Sequence, residues 1–242
     1  MTYIEGFLLP VPTANREAFV AHARSGIPFF KKHGVMRLLE AWGDDVPDGK
    51  LNDLKKSVAL EEGETVVMSW FEYPDKAARD AGNAGMMSDA EMAEMGGADV
   101  PFDGRRMIIG GFDSIVEVGS SQGPGYVDGF VVPVPAAKKE AYRALAAKAA
   151  PIFQEYGAHR VVEAWGEDTA DGKITDYNRA TLKEPDEKVV YSFVEWPDKA
   201  TRDAGWAKIM EDERMKPDGD MPMDGKRMMW GGFSPVVDET FG

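Results

Sequence analysis

Two nearly unbroken apolar runs set the reading of this chain: TVVMSWFEY at 65–73 and KVVYSFVEW at 188–196. Their length and their β-branched and aromatic content predict strands. Their lack of alternation predicts strands buried on both faces. Pro74 and Pro197 end them. Around the first run the pattern supplies five more elements. Tyr3–Leu9 reads as a strand stopped by Pro10. Ala14–Lys32 carries Phe19, Ala23, Ile27 and Phe30 at helical spacing, with a kink or break expected at Pro28 and a stop at Gly34. Val35–Trp42 reads as the second strand, and Gly43–Asp53 holds a Pro-Asp-Gly turn. Lys55–Leu60 leans to extended. Asp75 is placed to cap a helix through Met87, and Ser88-Asp-Ala-Glu91 has the spacing of a capping box for a further turn to Met95. Gly96–Asp103 reads as loop. Arg106–Val116 is the last strand, with Gly110-Gly111 marking a bulge or a close backbone approach. The order β-α-β-β-α-β is that of a split βαβ, ferredoxin-like unit.

The whole pattern is written twice. HGVMRLLEAWGDDVPDGKLND at 33–53 returns as YGAHRVVEAWGEDTADGKITD at 156–176. Tyr3-Ile-Glu-Gly-Phe7 returns at Tyr126–Phe130, Pro10-Val-Pro12 at Pro133–Pro135, and Arg79-Asp-Ala-Gly82 at Arg202–Gly205. Pro101-Phe-Asp-Gly-Arg-Arg-Met107 and Gly110-Gly-Phe112 return at 222–228 and 231–233. The period is far longer than a solenoid unit, so each copy is a domain. The expected division is 1–118, a Gly/Ser linker at 119–125, and 126–242. Helices cover one face of a ferredoxin-like sheet, and the strands here are apolar on both. The fold class expected is therefore α+β, with two βαββαβ units packed sheet to sheet within one chain. Covering several hundred Å² of apolar surface at ~25 cal/mol per Å² is worth on the order of 10 kcal/mol before entropy is subtracted.

Composition narrows the function. No apolar run approaches the roughly 20 residues of a membrane helix, and MTYIEGFLLPVP lacks the basic start and small-residue site of a signal peptide. Cytoplasmic location is the expectation. The absence of cysteine excludes disulfides, thiolate nucleophiles and Cys-held metals. With 42 acidic and 28 basic residues, net −14, and no basic stripe, the chain does not read as a nucleic-acid binder.

Candidate chemistry is sparse. Glu40 and Glu163 sit mid-strand in apolar surroundings, where a carboxylate either faces a cavity with a raised pKa or pairs with a base. Arg37 and Arg160 fall on the opposite strand face, which leaves Arg106 or Arg227 as partners and as possible anion sites. Trp42 and Trp165 end the same strands and could be walls or core. Asp45, Asp48 and Asp53, with Asp168, Asp171 and Asp176, form oxygen-rich turns whose spacing does not fit a calcium loop. His22, His33 and His159 do not recur between copies, as a symmetric metal or haem site would require. Neither a catalytic triad nor a phosphate loop nor a dinucleotide fingerprint is present.

Both copies resemble the YbaA-like family of small bacterial proteins of unknown function. The matching pieces are YxxGF, PVP, EAWGxDxxDGKxxD, RDAG and the closing GGF. The resemblance covers nearly all of each copy. It implies the dimeric α+β barrel superfamily, in which two ferredoxin-like units pair their sheets and single-copy relatives would do so as homodimers. Superfamily members include cofactor-free monooxygenases, haem peroxidases and isomerases. The family assigns no catalytic residue to any position here. Two functions stand against each other. The first is a small-molecule site, needing no cofactor, for a modest apolar or acidic metabolite. Glu40 and Glu163 would be base or acceptor, Arg106 and Arg227 anion partners, Trp42 and Trp165 walls, with Asp53 and Asp176 as further substrate-binding residues. The second is a non-catalytic structural or protein-interaction module whose barrel is fully packed. A cavity of at least about 300 Å³ lined by Glu40 would favour the first.

Overall fold

The structure, a computed structural model, describes residues 1–91, 100–216 and 219–241. The first repeat contributes β1 (Tyr3–Pro12), α1 (Arg16–Lys32), β2 (Arg37–Asp45), α2 (Leu54–Ser57), β3 (Glu64–Tyr73), α3 (Lys76–Ser88) and β4 (Ile108–Gly119). The second contributes β5 (Tyr126–Pro135), α4 (Lys139–Glu155), β6 (Arg160–Asp168), α5 (Tyr177–Ala180), β7 (Glu187–Trp196), α6 (Lys199–Glu211) and β8 (Met229–Thr240). The strands close into one barrel in the order β1-β3-β2-β8-β5-β7-β6-β4. Within each repeat the order is that of a ferredoxin-like unit. Between repeats β2 pairs with β8 and β4 with β6, so both edges of each sheet are hydrogen-bonded to the other repeat. Edge pairing adds to the expected burial of the inner faces: no strand edge is left to water.

The inner faces interdigitate. Leu8, Leu39, Met68, Trp70 and Phe112 of the first repeat pack with Val131, Val162, Tyr191, Phe193 and Phe233 of the second in one core. Trp70 stacks on Phe193 with ring centroids 3.9 Å apart. Gly6 and Gly129 are placed to admit the other repeat. A Cβ at Gly6 would lie 2.9 Å from the Tyr191 ring, and one at Gly129 would collide with the Met68 sulfur. The lumen is thus solid side chain.

Four ions lie at the Glu72 end of this lumen. Arg37 donates to Glu195 at 2.6 Å and to Glu72 at 3.2 Å; Arg160 donates to Glu72 at 2.7 Å and to Glu195 at 3.3 Å. Asp238 and Glu117 extend the network, one on each arginine. All four central side chains are buried. Burial pushes the Glu72 carboxyl up, but the Arg160 and Arg37 guanidiniums outweigh it and hold it below the usual carboxylate range. Arg79 reaches Asp168 at 2.7 Å and Arg202 reaches Asp45 at 3.1 Å, tying the repeats together again from outside.

Several local expectations change. Pro28 and Pro151 lie inside unbroken helices. Both prolines are exposed, as are Arg24 and Ala147 one turn before, so water can take the freed carbonyls. β1 runs through Pro10 to Pro12 rather than stopping at Leu9. Lys55–Leu60, expected to be extended, instead begins inside the one-turn α2 at 54–57, because Asp53 accepts the Lys56 N–H at 2.7 Å as an N-cap. Asp75 caps α3 as expected. The capping box expected from Ser88 does not form: Ser88 ends α3 and donates to the Gly85 carbonyl, and Asp89 accepts the Glu91 N–H at 3.1 Å; residues 92–99 of the expected turn and loop lie outside the described residues. The Gly110-Gly111 pair does sit at a register shift, and a Cβ at Gly111 would lie 2.4 Å from the Tyr3 hydroxyl. The Gly/Ser stretch is anchored at both ends: Ser120 N donates to His159 O, and Gly125 N donates to Trp196 O at 3.0 Å.

Candidate functional site

Strand alternation sorts the candidates. Arg37, Leu39 and Ala41 face the lumen, so Leu38, Glu40 and Trp42 face out, under α1 and α3. On that outer side of the first repeat is a cavity of about 690 Å³. Its floor is sheet: Glu5 and Phe7 of β1, Glu40 of β2, Ser69 and Phe71 of β3, Ile109 of β4. α1 supplies Phe19, His22 and Phe30; α3 supplies Asn83, Met86 and Met87; Phe102 and Arg105 close the side. Met87 is 85% exposed and Ile109 45%, which places them at the rim.

Glu40 is the polar centre of this cavity. Its one side-chain partner among the described residues is the Ser69 hydroxyl, which donates to it in a short hydrogen bond. Burial raises its carboxyl to about 7, against a smaller lowering from Ser69. Glu5, the second carboxylate on the floor, accepts from the Asn83 amide at 2.7 Å and is also raised by burial. His22 packs its ring 5.9 Å from Phe102, and burial lowers its pKa, which favours the neutral imidazole. Sequence reasoning set this histidine aside because it does not recur: Leu145 stands at its place in the second repeat.

The equivalent place in the second repeat is filled. Tyr142 stands where Phe19 does, and its hydroxyl donates to Glu163 at 2.7 Å, alongside a short bond from Ser192. Trp206 stands where Asn83 does. Its indole packs 5.3 Å from Phe153 and 6.3 Å from Phe130, and its N–H donates to Asp128 at 2.7 Å. Glu163 is also raised by burial, and its Oε2 accepts from both Tyr142 and Ser192. A further cavity of about 610 Å³, lined by Leu145, Met215 and Pro222 among others, does not reach Glu163.

The other expected site residues are elsewhere. Arg106 makes a two-pronged pair with Glu64 at 2.6 and 2.8 Å and also binds Asp103 and the Ala59 carbonyl. Arg227 does the same with Glu187, Asp224 and the Leu182 carbonyl. Neither arginine is on Glu40 or Glu163, because each is consumed by the strand-entry carboxylate beside its own turn. Asp53 and Asp176 are caps of α2 and α5. Trp42 lies behind the cavity wall, 6.0 Å from Phe19, and Trp165 is buried beneath the Lys139 ammonium. His33 bonds Asp89 at 3.0 Å. Among the described residues no group of three His, Asp or Glu is arranged to hold a metal ion, and no helix is long and apolar enough to cross a membrane.

The raised Glu40 carboxyl has a measurable sign. The folded chain keeps this proton up to about 7, whereas the unfolded chain releases it near 4.5. Ionising Glu40 therefore costs the fold nothing below the lower value and on the order of 3 kcal/mol above the higher one. Glu40→Gln is expected to raise the urea midpoint at pH 8 and to leave it nearly unchanged at pH 4. Equal effects at both values would show a carboxylate that is not desolvated.

Comparison with known proteins agrees with the fold. A stretch of 115 residues, 47% of this chain, is 57% identical to "Uncharacterized protein YbaA" of Escherichia coli and spans 98% of that protein. A Fusobacterium nucleatum protein provisionally described as a monooxygenase superposes with a TM-score of 0.59 at 11% identity, covering 100% of this chain and 95% of that one. An anthrone oxidase-like protein superposes with a TM-score of 0.54 at 14% identity, covering 100% and 94%. At such identities the likeness shows the dimeric α+β barrel fold alone. The profile of DUF1428, a family of proteins of unknown function, matches residues 2–104 and again 125–225, so this chain belongs to that family and carries it as two tandem copies.

Proposed function

We propose that the first repeat binds a small, mostly apolar molecule in the 690 Å³ cavity, and that Glu40 accepts a hydrogen bond or a proton from it. The observation that supports this most is the pairing of that volume with a floor carboxylate satisfied by a single serine. A cavity of this size falls within the usual range for ligand sites, and its few polar groups converge on one region of an otherwise apolar wall. With Glu5 and Glu40 both facing it, Arg106 turned away and the rim guanidinium of Arg105 held by Asp103 at 2.9 Å, an anion is disfavoured; a neutral molecule with a donor group fits. A carboxyl raised to about 7 is also suited to act as general base near neutrality. Any reaction would be proton abstraction without a cofactor. Fold-mates described as oxidases or monooxygenases are compatible with that chemistry but do not assign it.

The packed-module reading draws support from the solid lumen. It does not account for an apolar cavity outside that lumen. A thermal-shift screen of neutral metabolites against the whole chain separates the two. Stabilisation by at least one compound, weakened by Glu40→Gln, is expected. No stabilisation by any compound, with Glu40→Gln behaving as the parent, would leave the packed module as the better reading.

A further inference from the structure

Among the described residues Glu40 has no basic partner. Its one donor is the Ser69 hydroxyl. The matching Glu163 has two, Ser192 and Tyr142; Phe19 stands at the place of Tyr142 and brings no hydroxyl. The two basic residues that line the cavity do not serve Glu40. The Arg105 guanidinium is held by Asp103 at 2.9 Å, and burial lowers the His22 pKa, which favours the neutral ring. Glu5, the other floor carboxylate, is already provided for: Asn83 donates to it at 2.7 Å and Arg79 lies 3.5 Å away.

Aromatic rings flank Glu40 on both sides. Across β2 and β3, the Glu40–Ser69 pair lies between the Leu38–Phe71 pair and the Trp42–Val67 pair. Phe71 continues into Phe7 and Phe30, with ring centroids 4.9 and 4.6 Å away, and these three make one wall. Trp42 carries Phe19 at 6.0 Å, which meets Phe102 at 6.0 Å, on the other side. All five phenylalanines line the cavity. A carboxylate held away from water gains most from a partner that brings N–H donors and positive charge together. Aromatic rings attract the same partner through their quadrupole. The net charge of −14 draws cations towards the molecule.

We infer that the ligand of the first repeat is an apolar amine, with a hydrocarbon body along the phenylalanine walls and a primary or secondary amino group on Glu40. This narrows the proposed function and rests on it. An uncharged amine meeting protonated Glu40, and an ammonium meeting its carboxylate, give the same complex, so the pair adds no net charge to the apolar space. The proton balance follows. At pH 6 Glu40, raised to about 7, keeps its proton while a free aliphatic amine, with a pKa of about 10, is charged. Forming the ion pair there releases one proton to the buffer. At pH 8 the carboxyl is already ionised and little is released.

Calorimetry on the whole chain, in about 0.5 M salt to screen pairing at the acidic surface, tests this. The probes are 4-phenylbutylamine, 4-phenylbutan-1-ol and 4-phenylbutanoate. The amine is expected to bind at one per chain, since the cavity of the second repeat does not reach Glu163. The alcohol should bind about tenfold more weakly, and the butanoate not measurably. The amine should bind about tenfold more tightly at pH 8 than at pH 6, and its heat at pH 6 should vary with the ionisation enthalpy of the buffer. Glu40→Gln should bring the amine to alcohol ratio towards one and remove the buffer dependence. An alcohol that binds as tightly as the amine, with both weakened by Glu40→Gln, overturns the amine class and leaves the cavity as a ligand site. Amine binding that Glu40→Gln leaves unchanged, or that releases no proton at pH 6, overturns the placing of the amine on Glu40. No binding by any of the three overturns the amine class, and the metabolite screen then decides the cavity.

Discussion

Residues 1–118 expressed alone are expected to dimerise or aggregate, never to run as a monodisperse monomer in size-exclusion chromatography with light scattering. Removing the second repeat strips β8 from β2 and β6 from β4, which opens two strand edges at once. It also uncovers Leu39, Met68, Trp70 and Phe112, all buried in the whole chain. Such a contiguous apolar face exceeds what soluble monomers expose. A homodimer is the available remedy. β8 is the counterpart of β4 and β6 of β2, so two first repeats can rebuild both seams, with Met68 of each entering beside Gly6 of the other. A well-behaved monomer with native-like circular dichroism would contradict the view that the shared barrel is what stabilises either half.

The second large effect belongs to the buried ions. Arg160→Met is expected to lower stability by about 3–5 kcal/mol in urea unfolding, because it leaves Glu72 and Glu195 desolvated with only Arg37 between them. The penalty comes from the stranded carboxylates more than from the lost attraction. Adding Glu72→Gln, which keeps an acceptor for the Trp70 N–H, should therefore recover a substantial part of the loss. A single-mutant effect under about 1 kcal/mol would mean that water reaches these groups.

Particular residues show how far the chain could be read unaided. The strands were legible because the repeat shows each pattern twice and because 65–73 and 188–196 are apolar at almost every position; the β2–β8 and β4–β6 seams between the repeats were not. α2 was not legible. Its single turn depends on Asp53 turning back onto the Lys56 N–H, a local bond that leaves no periodicity behind. Glu40 was legible as an apolar-strand carboxylate, but its partner was not. Ser69 meets it across a strand pair, whereas the expected Arg106 is drawn away by Glu64. The ion quartet was missed although Arg37, Glu72, Arg160 and Glu195 are matched between copies, because no single repeat contains both halves of the network. The repeat comparison also stopped one position short. Arg79–Gly82 and Arg202–Gly205 are identical, and the next residue puts the amide of Asn83 in one repeat where the other has the indole of Trp206. A search for sameness passes over such a position.

That difference between Asn83 and Trp206 has a consequence for how such a protein can change. When two identical chains associate, every codon is expressed on both sides, and a bulky substitution that closes one pocket closes its mate. Here the two sides are encoded separately. One half can give up its vacancy for extra packing while the other keeps its own, so the durability of one side and the open space of the other can be adjusted under independent selection.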